Sequence, residues 1–448
     1  AAHGAGGGAE PSPAPKGDAA EEGAPRRYRR RPELGVEVPG LEERSEPLPV
    51  GPVTPPPDGS PQMFVEMGPS HPAMHGTIKM NLLLDGETVE RVDVDPGYLH
   101  RGFEKSCENA TWTMVFPYTD RLNYVSPFIN NNCYAAAVEK LFDIEIPERA
   151  KYLRTIAAEI SRMSDHLTCV AAGTMELGAF TGMLYLIECR DLLWDAAEEL
   201  CGARLTVSYT RIGGVMEDLP EGFIEATKQR LDRIVELMED VEALINRNKI
   251  FLQRMVGVGV MKKADAISWG WTGPCLRSTG VPYDVRRAAP YDVYDRVDFD
   301  VPIGENGDNY DRYLVRIEEI KQSRRIILQC FDQIGHTDPV LVVDDTRLRL
   351  PSKEKVHTAI EEMMNHFKII IDGIQVPAGE AYAYQEGANG ELGFYLVSDG
   401  GGQPWKVRVR PPCFPITSSL PELLVGSQVA DIVPTFGSIN MIGGECDR

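Results

Sequence analysis

Hydrophobic positions along this chain recur first every second residue, then every third or fourth, then every second again. Ile78, Met80, Leu82 and Leu84 alternate with mostly polar neighbours, the period of a half-buried strand. Asp85-Gly86 follows as a hairpin turn signal, Val92 and Val94 continue a return strand, and Pro96 ends it; the first strand begins at Met63. From about 127 to 250 the period is helical. Ala150, Leu153, Ala157, Ile160, Met163, Leu167 and Val170 mark one buried face, and Pro147 suits a first helical turn. A second helix is expected from about Thr181 to Leu200, with Gly202 as its C-terminal cap. A third starts near Pro220 and carries Phe223, Leu231, Ile234, Met238, Val241 and Ile245. Long adjacent helices with short connections predict an antiparallel bundle. The Gly-, Pro-, Tyr- and Asp-rich stretch 270–310 reads as loops. Two more helices are expected near 311–334 and 353–372, the latter stopped by Gly373, then strands near 379–385, 392–398 and 405–410. The last thirty residues carry weak signals, and no internal repeat is found. The expected class is α+β: a central antiparallel helical bundle with antiparallel β pieces at the N-terminus and near the C-terminus. The expected division is a leader 1–61, an N-terminal β domain 62–126, a helical core 127–375 and a C-terminal β and loop region 376–448.

Composition narrows the classes of function. The formal charge is −21, from 46 basic and 67 acidic residues. That argues against nucleic-acid binding, which needs a cationic surface to displace counterions, and against adsorption to anionic lipid. No stretch approaches the roughly 18 apolar residues of a membrane helix, so any work at a membrane goes through a partner. The nine cysteines are dispersed and no two are three apart, which excludes CxxC redox pairs, zinc ribbons and ferredoxin-type cluster loops. Scattered thiols fit a reducing compartment, where most act as small buried apolar groups. Residues 1–61 hold 13 of the 33 prolines, with Ala, Gly and Glu between them, and read as a largely disordered leader. Its basic cluster, Arg26-Arg27-Tyr28-Arg29-Arg30-Arg31, is either a solvated tail or a docking element for an acidic surface. No signal or transit peptide is evident.

The candidate chemistry is concentrated in Gly68-Pro69-Ser70-His71-Pro72-Ala73-Met74-His75-Gly76, between the first strand and the hairpin. Two of eight histidines fall in this segment, and His100 follows in Tyr98-Leu99-His100-Arg101-Gly102-Phe103-Glu104-Lys105. On spacing alone three readings stay open: a metal site, imidazoles satisfied by backbone groups, and a proton-donor site, for which imidazole is suited near neutral pH.

Several further motifs join these two in order: Arg121-Leu122-Asn123-Tyr124, Glu159-Ile160-Ser161-Arg162 with His166-Leu167, Arg211-Ile212-Gly213-Gly214, Gly280-Val281-Pro282-Tyr283-Asp284, Gly390-Glu391-Leu392-Gly393, Ser398-Asp399-Gly400-Gly401 and the closing Asp447-Arg448. The ordered set resembles the D subunit of respiratory complex I, the quinone-site component of the proton-pumping NADH–quinone oxidoreductase, over about residues 62–448. The resemblance implies a fold like that of [NiFe]-hydrogenase large subunits. It implies a quinone head-group chamber shared with the neighbouring B subunit, which holds the terminal [4Fe–4S] cluster. No cofactor is expected in this chain itself; the substrate is a quinone, ubiquinone or menaquinone. Other implied partners are the C and I subunits of the peripheral arm and the H subunit of the membrane arm, with no nucleic acid and no transmembrane segment of its own. The implied place is the cytoplasmic side of a bacterial inner membrane.

The family's head-group residues carry over onto His75 and Tyr124 as quinone ligands and proton donors, with His71 in support. Glu176 stands where the family has an aspartate near the His75 equivalent: the charge is kept and the reach is one methylene longer. Arg101 matches an arginine beside the neighbouring cluster. Thr206 stands where many members have a histidine near that cluster, which implies a cluster potential less dependent on pH and suited to a lower-potential quinone. Two rivals come from other classes. A [NiFe]-hydrogenase-like enzyme would need two CxxC-like thiolate pairs, which the spacing does not supply. A non-catalytic scaffold would not need both His75 and Tyr124. Gly257-Val258-Gly259 is not a dinucleotide fingerprint.

Overall fold

A computed structural model describes residues 52–57, 59–71 and 76–448. Most of the leader, with its basic cluster, and His75 lie outside the described residues. Three antiparallel strands open the fold: β1 (Met63–Met67), β2 (Lys79–Asp85) and β3 (Thr88–Asp95). Asp85 pairs with Thr88 across the expected tight turn, where Gly86 takes φ 58°, a left-handed conformation free of Cβ strain only in glycine. Helices longer than ten residues are numbered: α1 (Pro127–Phe142), α2 (Glu148–Glu176), α3 (Phe180–Cys201), α4 (Phe223–Ile245), α5 (Asn309–Ile334), α6 (Ile360–Ile371) and α7 (Val429–Ile439). Two-residue strands β4 (Thr210–Arg211) and β5 (Gly214–Val215) follow α3. A second three-stranded antiparallel sheet is built from β6 (Gly379–Glu386), β7 (Glu391–Ser398) and β8 (Lys406–Arg410).

The bundle is α2, α3, α4 and α5. Each cross-helix pair set runs in opposite chain directions: Glu199 with Arg230 and Gly182 with Ile245, Asp232 with Arg324 and Glu242 with Lys321, His166 with Glu319 and Tyr152 with Gln333. These neighbours are therefore antiparallel. Gly202 caps α3 in the left-handed region as expected. The sheet β6–β8 packs on α1 through Tyr134, Phe394, Leu396 and Val407, while β1–β3 share a core with α7 and the C-terminal residues to Cys446. The mixed, segregated helix and small antiparallel sheets agree with the α+β class.

Four expectations are corrected. The periodic face of α2 is buried, but so is the rest of the helix: Arg154, Glu159, Arg162, Asp165 and His166 are buried too. A period-3.6 apolar stripe finds one side of a helix; it is blind to polar residues buried against other polar residues. The stretch 353–372 is two helices, Lys353–Thr358 and α6, broken at Ala359, which takes an extended conformation. The last thirty residues form α7 and two short helices, Leu420–Leu424 and Gly443–Asp447, with a further short helix, Cys413–Ser418, just before them. The stretch 270–310 also contains two single-turn helices, Gly273–Ser278 and Val285–Ala288.

Glu159, Arg162 and His166 of α2 join one buried charge network. Arg277 reaches Glu319 and Glu386, both at 2.8 Å; Glu319 holds His166 Nε2 at 2.8 Å; Arg286 pairs with Asp284 at 2.7 Å and with Glu159 at 3.2 Å, and Arg162 also reaches Glu159. Burial alone would raise the Glu319 carboxyl; Arg277 and His166 outweigh it and hold the group below its usual range. Burial depresses His166 against the pull of Glu319, so the ring is neutral and its Nε2–H donates. Both shifts are depressions. Their stabilisation is complete above about pH 6.5, the unfolded value of histidine, and is lost as pH falls, first through His166 and then through the carboxylates. Glu319→Ala leaves Arg277 without one of its partners in a dry core and should cost about 3–5 kcal/mol in thermal unfolding, whereas a rim pair such as Arg233–Glu188 should cost under about 1 kcal/mol.

Candidate functional site

The candidate loop is a long connection between β1 and β2. Met67 pairs with Met80, and Gly68, at φ 96°, packs so tightly on the Ile78 carbonyl that no Cβ fits. The two ends of the loop are thereby pinched into a neck. His71 is half-buried at one side. Gly76, at φ 124°, leaves the loop against the Met441 side chain and the Gly443 backbone.

The same C-terminal residues hold the second motif. The Leu99 N–H donates to Asp447 Oδ2 at 2.8 Å, and His100 Nδ1 lies 2.8 Å from the Asp447 carbonyl oxygen; since that oxygen can only accept, Nδ1 carries the proton. Arg101 is exposed but anchored, with Nη2 donating to the carbonyls of Gly444 and Arg121, each at 3.1 Å. The third motif is thus tied to the first two. Asn123 Oδ1 accepts from the Val125 N–H at 3.1 Å, an Asx-type turn that aims Tyr124 outward, where it is 40% exposed. Burial raises the Tyr124 phenol, Asp165 and Cys413 raise it further, and Arg101 opposes them. The hydroxyl therefore keeps its proton at neutral pH and can donate it.

Glu176 closes α2 and is half-buried, its carboxylate pressed against the backbone of Gly437 in α7. The end of α7 runs on through Asn440 and Met441 to the residues under Gly76 and Arg101, so one short segment connects Glu176 with the loop. Thr206 is exposed before β4, next to Val207, whose carbonyl accepts from Asn131. It is not among the residues that these contacts bring together.

Sequence reasoning missed the floor of this site. Asp165 is fully buried and accepts from Asn123 and Asn440, each at 2.7 Å; Asn389 and Glu445 extend the same chain of hydrogen bonds. Asp165 lay hidden in a helical stripe, and Asn389, Asn440 and Glu445 lie more than two hundred residues further on. Their common signal is long-range contact, which local pattern does not carry. Among the described residues no group of three or more His, Cys, Asp or Glu side chains is placed to hold a metal ion, and no helix is long and apolar enough to cross a membrane.

Comparison with known proteins gives concordant matches. Residues 176–448 match the family model described as respiratory-chain NADH dehydrogenase, 49 Kd subunit. The chain is 55% identical over 418 residues to the first of the NADH-quinone oxidoreductase D subunits of Anaeromyxobacter dehalogenans (strain 2CP-C), covering 92% of this chain and 97% of that protein. It is 58% identical over 386 residues to the second D subunit of Anaeromyxobacter sp. (strain Fw109-5), covering 86% and 89%. It is 48% identical over 384 residues to the NADH-quinone oxidoreductase C/D subunit of Bdellovibrio bacteriovorus, covering 86% of this chain and 68% of that protein.

The contact between Glu176 and Gly437 gives a direct structural test. A Cβ at Gly437 would run into the carboxylate, so Gly437→Ala should displace Glu176 and cost about 1–3 kcal/mol despite the better helix propensity of alanine. Gly173→Ala on α2 meets nothing and should be neutral or mildly stabilising. Thermal unfolding of the two variants and a structure of the first would check this.

Proposed function

The chain belongs to the family of the 49-kDa subunit of respiratory-chain NADH dehydrogenase, and from that premise we propose that, as the D subunit of NADH–quinone oxidoreductase, it builds one wall of the quinone head-group site and protonates the reduced quinone. The observation that carries this reading is Tyr124: an outward-facing phenol that keeps its proton, on a turn fixed from below by Asp165 and from the side by Arg101. Reduction of a quinone takes two electrons and two protons. In this reading the electrons come from a [4Fe–4S] cluster in the neighbouring B subunit. His75 gives one proton and Tyr124 the other, each while hydrogen-bonded to a quinone oxygen as charge grows there. His71 and Glu176 support the loop that carries His75; Glu176 takes the place of the family's aspartate beside it. The substrate is ubiquinone or menaquinone.

An open wall of this kind fits a chamber closed by a second subunit. The partners proposed are the B, C and I subunits and the H subunit of the membrane arm, with the assembly at the cytoplasmic side of a bacterial inner membrane. The Bdellovibrio relative, whose name joins C and D, supports the C subunit as a neighbour. The exposed apolar Ile360, Met363, Phe367 and Ile370 of α6 form a face suited to a partner, without naming which one. The [NiFe]-hydrogenase-like architecture and the division into 1–61, 62–126, 127–375 and 376–448 belong to the same proposal.

Tyr124→Phe in native membranes should reduce electron transfer from NADH to a short-chain quinone at least about tenfold, while transfer to a hydrophilic acceptor near the NADH site persists. Survival of both activities would remove Tyr124 from the site. Arg101 and Thr206 are assigned to the surface facing the cluster. Because Thr206 cannot titrate where a histidine would, the cluster potential should vary less with pH than in relatives that carry the histidine; a redox titration showing an ordinary pH slope would sink that assignment.

A further inference from the structure

The hydrogen bonds under the Tyr124 turn have a direction. Asn123 Oδ1 is spent on the Val125 N–H at 3.1 Å, so its Nδ2 is the end that faces α2, and it donates to Asp165 Oδ2 at 2.7 Å. The Asn123 backbone carbonyl accepts from Asn130 Nδ2 of α1 at 2.9 Å. From the other side Asn440 Nδ2 donates to Asp165 Oδ1 at 2.7 Å and to Asn389 Oδ1 at 2.6 Å. Asp165 is fully buried and accepts from an amide at each of its two oxygens. A carboxylate supplies two acceptors; an amide in its place would turn N–H toward N–H on one side. Asn123 cannot turn over to relieve that clash without giving up the Val125 N–H.

Asn440 follows the last residue of α7 with φ 54°, in the left-handed region that asparagine and aspartate tolerate. Its N–H donates to the Gly437 carbonyl at 3.2 Å, and the Cys169 thiol of α2 donates to the same carbonyl at 3.5 Å. Gly437 is the residue on which the Glu176 carboxylate rests. The four residues Gly437–Asn440 are thus fastened to α2 at both ends. One end meets Glu176; the other meets Asp165 and, through it, the turn that carries Tyr124.

We propose that Asp165 and Asn440 are positioning residues of the quinone reaction: their carboxylate–amide pair clamps the end of α7 to the Tyr124 turn and so fixes where the phenol stands relative to the Glu176 side of the site. Neither side chain touches the quinone. Asp165 acts on the reaction through Asn123 and Tyr124, and Asn440 acts through Asp165. The inference rests on the quinone-site reading of Tyr124.

The test measures NADH–quinone reduction and hydrophilic-acceptor reduction in native membranes. Asp165→Asn sets two amides against a third, and Asn440→Asp sets two carboxylates against each other. Each should lower quinone kcat/KM about fivefold, while hydrophilic-acceptor activity stays level. Combining the two substitutions restores a donor–acceptor pair: the amide at position 165 accepts from Asn123 and donates to the carboxylate at position 440, and the Asn389 amide turns over to donate to it. The double variant should return to within about twofold of the native rate. In a Tyr124→Phe background Asp165→Asn should cost less than about twofold more, because the hydroxyl it positions is already gone. A full, multiplicative loss in that background overturns the proposal, since a general structural role would persist without the hydroxyl. If a single variant fails to assemble, the double variant carries the test; a double variant that does not assemble, or that reduces quinone no better than the singles, overturns it too. Tyr124→Phe alone separates the two readings. Quinone reduction that survives it removes the site assignment itself, whereas collapse there with a multiplicative Asp165→Asn loss removes only the positioning role.

Discussion

Arg277 sits at the dry centre of the molecule with Glu319 on one side and Glu386 on the other, and the fold is arranged around keeping that cation paired. Its neighbours extend the pairing outward. Glu319 belongs to α5 and holds His166 of α2; Glu386 ends β6, where its backbone and that of Gly387 accept from Arg162 of α2; Arg286 joins Asp284 to Glu159. Removing ions from water costs several kcal/mol each, and only near-complete pairing offsets it. The network therefore does little for net stability and much for uniqueness: slide α2 by a turn against α5 and several buried charges lose their partners at once. The helical bundle and the C-terminal sheet are locked in one register by this requirement.

That register places the candidate wall. Asp165 follows Arg162 on α2 by three residues, so the face of the helix that meets the charge network also offers a carboxylate to Asn123 and Asn440. The C-terminal residues then work as a keystone. Gly76, the Leu99–Arg101 stretch and the Tyr124 turn come from three separate segments, and all of them lean on Asn440–Arg448 directly or, for the turn, through Asn123 and Asp165. Close packing of Gly444 on the Arg121 and Leu122 carbonyls excludes a Cβ there, and the Gly444 carbonyl accepts from the Arg101 guanidinium. A rigid buried network under an exposed aromatic rim suits the proposed proton-donating wall, whose donor would be held in place.

The local elements were legible because each obeys a period or a cap. Ile78 to Leu84 announced β2, the stripe from Ala150 to Val170 announced α2, and Gly202 and Gly373 marked stops that the backbone does make with positive φ. The C-terminal helices were not legible: Cys413–Ser418, Leu420–Leu424 and Gly443–Asp447 are single turns, too short for a 3.6-residue period to accumulate, and α7 carries Pro434 inside it. Nor was the true environment of α2. Glu159, Arg162 and His166 read as solvent-facing on any amphipathic pattern, because polarity along a sequence does not say whether the opposite charge is waiting across an interface.

What the sequence determined by itself was the family, the order of elements and the residues proposed for the chemistry: ordered motifs survive as strings because each needs particular residue types at particular spacings. Tertiary structure alone decided which of those strings share a site. His100 meets Asp447, Asn123 beside Tyr124 binds Asp165, and Glu176 abuts Gly437 across separations of about forty to three hundred and fifty residues. The reason is physical. A hydrogen bond or an ion pair is a statement about distance in space, and chain order constrains that distance only within a turn or two of helix.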